Sequence, residues 1–243
     1  MSDLTDRFLS LFSEAEKLVA AAAGKGPADR NGFSSNLTLA QQKDIRFRRF
    51  QEELRVSADV RNLLSHQRFR ARHPVTPSPV LTKALEHAVT SLKNPPKVIH
   101  HFGKKDLREF SPEEGIAEVL SYTSLHNFSQ VLVRRSGKLE LLSSNTIHRW
   151  LASCVGLELV DLAVPVSKVL KFKEPKRTEI RFSHRNTDLF EALSLFQGGQ
   201  SESLLALVIT ERGKPEESPL AFVTPWDLGN LSRLLGGTEN RIR

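Results

Sequence analysis

The chain is predicted to be α+β: an N-terminal all-α helical bundle over residues 1–95, followed by tandem β-α-β-β-α repeats over 96–156 and 157–243. Three observations carry this expectation. Apolar residues recur at helical spacing through the first part of the chain. After Pro95, short β-rich runs alternate with helices, and this second part repeats itself.

The elements follow in order. Leu4, Phe8, Leu11, Phe12, Ala15, Leu18, Val19 and Ala22 form one broad apolar stripe, so the first helix is amphipathic. Gly24, Gly26 and Pro27 end it, and a polar loop containing Gly32 and Ser34 to Asn36 is expected to follow. A second helical stretch puts Phe47, Phe50, Leu54 and Ala58 on one face at spacings of three, four and four, and it runs on into RNLLSH, residues 61–66. His73-Pro74, Pro77 and Pro79 break the pattern, and residues 80–93 (VLTKALEHAVTSLK) resume it.

In the second part, GIAEVLSY (115–122) aligns with DLFEALSL (188–195) at an offset of 73, and LLSSNTI (141–147) with FVTPWDL (222–228) at an offset of 81. A longer hairpin in ERGKPEESP (211–219) absorbs the difference. Each copy is expected to have a strand (around 98–102 and 179–183), a helix, a hairpin of two strands and a closing helix.

Composition narrows the classes. With 243 residues and 39% hydrophobic content the chain can bury a sizeable core. A single cysteine, Cys154, rules out an internal disulfide framework, and no secretory leader or bilayer-spanning run is evident, so a cytoplasmic setting without membrane partners is expected. Between residues 41 and 73 there are nine Lys or Arg against four acids, which carries most of the net +7. Such a face suits a polyanion, with Arg46, Arg48, Arg49 and Arg55 as candidate RNA contacts. A solvated charged helix explains the same charges.

The segment Val223-Thr224-Pro225-Trp226-Asp227-Leu228 gives the repeat its identity. An apolar strand end, Thr, two further residues and Asp at a helix start resemble the closing motif of a CBS domain, so the repeat is similar to a tandem CBS pair, a module that senses adenosyl ligands. The resemblance implies a regulatory adenine nucleotide (AMP, ADP or ATP), with Asp227 on the ribose and Thr224 near the phosphate. The chemistry is intelligible without it: a helix start offers free N–H groups, and a carboxylate can accept two ribose hydroxyls. In the first copy the matching positions are Ser143 and Thr146, so the ribose carboxylate is replaced there. Helix capping is the competing explanation for Thr224 and Asp227.

RNLLSH poses a similar choice. Arg61 and His66 are either ordinary polar residues or the working pair of a nuclease, and Arg68 with His73 repeats the spacing where Pro74 breaks the helix. Placed in ADVRNLLSH behind the helix LTDRFLSLFSEAEKLVAAA, Arg61, Asn62 and His66 resemble the Arg-polar-x3-His motif of the HEPN domain. The whole chain then resembles a bacterial HEPN–CBS fusion, which implies a metal-independent endoribonuclease, toxin-like or antiviral, with a composite site across a homodimer. Residues five apart sit about 140° apart on a helix, so one protomer presents Arg61 and His66 awkwardly. On that reading His66 takes the proton of an RNA 2′-hydroxyl or returns one to the 5′-oxygen, leaving 2′,3′-cyclic phosphate ends. Arg61 holds the phosphate, and Asn62 orients His66 or the phosphate.

Other candidates are weaker. His100 and His101 would point to opposite faces of a strand, which disfavours a shared metal. Cys154 reads as a small hydrophobe, and Trp150 and Trp226 as core or interface packing. No glycine-rich phosphate loop or Gly-x-Ser-x-Gly elbow is present. Two function classes remain: a nucleotide-regulated ribonuclease, and a non-catalytic nucleotide-sensing adaptor whose helical domain only dimerises or binds RNA.

Overall fold

A computed structural model describes residues 3–25, 32–66, 75–103, 107–173, 180–197 and 204–236. The chain divides into two units, one made of the residues up to Pro96 together with those from Leu235, and the other spanning Lys97–Leu234.

The first unit is all helical. Helix α1 (Asp3–Ala23) buries Phe8, Phe12, Ala15 and Val19 from the stripe read in the sequence, and Ala23, which lay outside it. Residues Ser34 to Asn36, expected in a loop, instead open helix α2 (Phe33–Lys43). Their polar side chains ordinarily compete with helical bonds. Here the Asn36 amide donates to the Gly32 carbonyl, Thr38 Oγ1 donates back to Ser34, and burial of Leu37 and Ala40 decides for the helix.

The stretch after it is helical but broken. Asp44 takes an extended conformation and caps α3 (Ile45–Arg49), and Phe50 interrupts the run before α4 (Gln51–His66). Phe47, Phe50, Leu54 and Ala58 are all buried, as their spacing requires. Helix α5 (Pro79–Lys93) starts on a Ser78 cap that accepts the Leu81 amide at 3.1 Å, with Pro79 in the first turn where it loses no hydrogen bond. Lys93–Glu14 (2.5 Å) and Arg7–Glu86 (2.6 Å) link α5 to α1, but both pairs are exposed and add little stability.

The second unit contains the β-α-β-β-α motif twice. In the first copy β1 (Glu109–Phe110) pairs parallel with β2 (Gln130–Arg135) after helix α7 (Ile116–His126); β2 pairs antiparallel with β3 (Lys138–Ser143), and α8 (Ser144–Ser153) closes the motif. Ser136 and Gly137, both at positive φ (49° and 79°), make the tight turn of this hairpin. In the second copy β4 (Ile180–His184), α10 (Leu189–Gln197), β5 (Ala206–Thr210), β6 (Ala221–Val223) and α11 (Leu228–Gly236) follow the same order, with β4 and β5 parallel.

One expected strand is corrected. Residues Val98–Phe102 form a short helix, α6, and the first strand of the first copy lies later, at β1. The reason is tertiary. The Val98 amide donates to Thr187 and Gly103 bridges to Ala221, so this segment packs on the second copy. The reverse also holds. Helix α9 (Val166–Val169) and Leu170, which precede the second copy, enter the core of the first beside Ile116, Val131 and Trp150. Each repeat thus receives the lead-in of the other. Leu132, Leu139 and Leu141 pack with Ala206, Val208 and Phe222 to join the two sheets.

Candidate functional site

A cavity of about 520 Å³ lies within the second unit, and both copies contribute to it. From the first copy come Leu107 and Arg108 before β1, Tyr122 on α7, residues 127–132 through the start of β2, and Ser144. Phe222, Thr224, Trp226 and Asp227 come from the end of the second. Local chemistry explains the shape. Asn127 ends α7 in the left-handed conformation (φ 54°), which turns the chain back along the cavity wall. Ser144 donates its hydroxyl to Ser129 at 2.8 Å and holds the start of α8 against that turn. Gln130 reaches across with its amide nitrogen to the Leu205 carbonyl, 2.8 Å away.

The lining is largely apolar and aromatic, with a single acid and a single guanidinium among its described residues. Asp227 Oδ2 accepts the Thr224 amide at 2.8 Å and the Thr224 hydroxyl at 3.0 Å. That arrangement caps the turn entering α11 and fixes the carboxylate at the cavity. Arg108 donates to Glu114 at 2.8 Å, and its guanidinium lies 4.3 Å from the Phe110 ring centroid. Tyr122 is held by Phe110 and Phe128, with ring centroids 5.4 and 5.9 Å away, and contacts His126 at 4.5 Å. One wall is therefore a packed aromatic cluster.

Of the ligand residues read from the sequence, the structure brings Thr224 and Asp227 together in this cavity. Ser143 and Thr146 lie elsewhere, both buried: the Ser143 hydroxyl caps α8 by accepting the Thr146 amide, and the two hydroxyls stand 3.1 Å apart. Trp150 is buried as expected. Trp226 is not part of the core: the residue is 85% exposed, at the cavity. Sequence reasoning missed Arg108, Tyr122 and Phe128. They come from a lead-in, the body of a helix and a turn, and only the fold gives them a common address.

In the helical unit, Arg61 lies 3.6 Å from Glu16 and 5.9 Å from the Phe12 ring centroid, and it donates to Asn62 Oδ1 at 3.4 Å. His66 ends α4, and its side chain lies outside the described residues, as do Arg68 and His73. The four basic candidates differ. Arg46 chelates Asp44 through contacts of 2.6 to 2.9 Å, Arg48 donates to the Gln41 carbonyl at 2.6 Å, and Arg49 and Arg55 stand exposed. Burial pushes the Asp44 carboxyl up, but the hydrogen bonds and charge of Arg46 outweigh it and hold the group below its ordinary range.

Cys154 ends α8 half buried, its thiol directed at the Trp150 carbonyl 3.5 Å away. His100 and His101 lie on helix α6 rather than on a strand. Among the described residues no cluster of three His, Cys, Asp or Glu could hold a metal, and no helix is long and apolar enough to cross a membrane.

No family model and no curated protein matches the chain. Solved structures do. A conserved protein from Pyrococcus horikoshii is similar with 17% identity and a TM-score of 0.40, over 57% of this chain and 93% of that one. A CBS domain-containing protein from Thermotoga maritima is similar with 16% identity and a TM-score of 0.39, over 60% of this chain and 99% of its own.

Proposed function

We propose that the second unit is an adenine-nucleotide sensor of the CBS-pair kind, and that the chain is a regulatory protein whose output is the helical unit. The feature that supports this most is Asp227. Its carboxylate is fixed at a helix start inside a mostly apolar, partly aromatic cavity of about 520 Å³, a volume in the range of small-ligand sites. Oδ2 serves the cap, Oδ1 is the oxygen that would accept a ribose hydroxyl, and the apolar lining takes the base. Thr224, by the CBS resemblance, lies on the phosphate side. Regulation follows if the nucleotide binds two states of the chain unequally; equal binding would shift nothing.

Calorimetric titration of AMP, ADP and ATP tests the reading. Wild type is expected to bind at least one of them. Asp227→Asn, which keeps an acceptor for the Thr224 amide but loses the charge, is expected to bind it at least tenfold more weakly, since charged hydrogen bonds are worth roughly 1.5–3 kcal/mol. Equal affinity in the two proteins contradicts the role of Asp227.

One contact favours a second, finer reading. Arg61 and Asn62 are hydrogen-bonded side by side near the end of α4, one turn before His66, with Asn62 exposed. On this reading the output is endoribonuclease activity from Arg61, Asn62 and His66 across a homodimer, with Arg49 and Arg55 free to meet the RNA backbone. The alternative output is nucleotide-dependent binding without chemistry.

A further inference from the structure

We propose that Trp226 is the base-binding residue of the cavity: its indole folds over the bound nucleoside and packs on the flat ring system of the base. The inference rests on the nucleotide reading above and adds to it the residue that covers the ligand.

The two tryptophans are opposites. Trp150 is 5% exposed and belongs to the core of the first copy, whereas Trp226 is 85% exposed and lines the cavity. An indole left in water is a large apolar surface whose burial against a partner is favourable. Its backbone is fixed. Pro225 sets φ immediately before it, and the Thr224–Asp227 cap (2.8 and 3.0 Å) closes the turn around it. Only its side-chain torsions are left to respond to a ligand.

Tyr122, which also lines the cavity, is pinned by Phe110 at 5.4 Å and His126 at 4.5 Å, so the cavity combines a packed aromatic cluster with one exposed aromatic side chain. Charge and size select the partner. The Asp227 carboxylate directly after Trp226 accepts sugar hydroxyls, the Arg108 guanidinium lining the same cavity suits phosphate, and a volume of about 520 Å³ holds a single nucleotide rather than an RNA strand. A base of this kind gains from an aromatic face regardless of its edge hydrogen bonds.

The experiment combines acrylamide quenching of tryptophan fluorescence with calorimetry, using AMP and its base-free analogue ribose 5-phosphate. In the free protein acrylamide is expected to quench Trp226 strongly and Trp150 weakly, and saturating AMP is expected to remove most of the accessible fraction. Trp226→Phe is expected to keep AMP affinity within about threefold, and Trp226→Ala to lose about tenfold, while both bind ribose 5-phosphate as wild type does. If AMP binds wild type and Trp226→Ala equally and quenching is unchanged, the proposal fails and the nucleotide reading survives. If Trp226→Ala weakens both compounds alike, the indole acts on the turn rather than the base, and the proposal fails. If wild type binds none of AMP, ADP and ATP, both readings fall together.

Discussion

Asp227 and Asp44 both spend their charge on a neighbour, with different consequences. Asp227 Oδ2 holds the Thr224 amide and hydroxyl, and the remaining oxygen gives the cavity its anionic point. Asp44 is consumed by Arg46. That pairing makes a pH prediction. The Asp44 pKa in the folded chain lies below its ordinary 3.8, so the stability it contributes is fully present above that value and is lost as pH falls through the folded one. Urea midpoints of the helical unit measured from about pH 5 down to about pH 2 are expected to fall in wild type more steeply than in Asp44→Asn. Identical slopes would contradict the pairing. The same contact explains why a count of basic residues overstates the RNA-facing charge: Arg46 and Arg48 are already occupied, which spacing could not reveal.

Caps and lead-ins decide which elements were readable in advance. The helical pattern of residues 80–93 announces α5, and the β-rich run around 179–183 announces β4, because their signals are local, although Pro79, read as a break, proves to open the helix behind its Ser78 cap. Helix α2 was hidden behind Ser34, Ser35 and Asn36, polar residues that favour turns until α1 supplies a surface for Leu37 and Ala40. Val98–Phe102 carries a β-prone pattern, yet it docks as a helix on the second copy through Thr187 and Ala221, contacts with no local trace. The site divides in the same way. Thr224 and Asp227 lie three residues apart and were legible as a motif; Arg108, Tyr122 and Phe128 are assembled by the fold. Two substitutions separate kinds of cap. Ser78→Ala, at an exposed cap, is expected to cost about 1 kcal/mol. Ser143→Ala leaves the buried Thr146 amide and hydroxyl without their partner and is expected to cost about 1–3 kcal/mol, read from urea denaturation of each variant. A smaller loss at Ser143 than at Ser78 would contradict the account of the α8 cap.

At the scale of the whole molecule, a helical unit and a repeated unit with interlaced lead-ins share one chain. Regulation requires that nucleotide in the second alter what the first does. If the output is RNA cleavage, wild type incubated with total RNA in EDTA is expected to leave 2′,3′-cyclic phosphate ends at a rate that AMP changes. His66→Ala is expected to lose at least a hundredfold in rate, the lower end of what a general acid–base contributes. Intact RNA with both proteins, with and without AMP, would leave binding as the output. Hydrogen exchange with and without saturating AMP, read by mass spectrometry, shows whether the cavity at Asp227 holds a nucleotide. Slowed exchange confined to Leu107–Arg108, residues 122–132 and 222–227 is the predicted result; unchanged exchange in all three segments would contradict the nucleotide site.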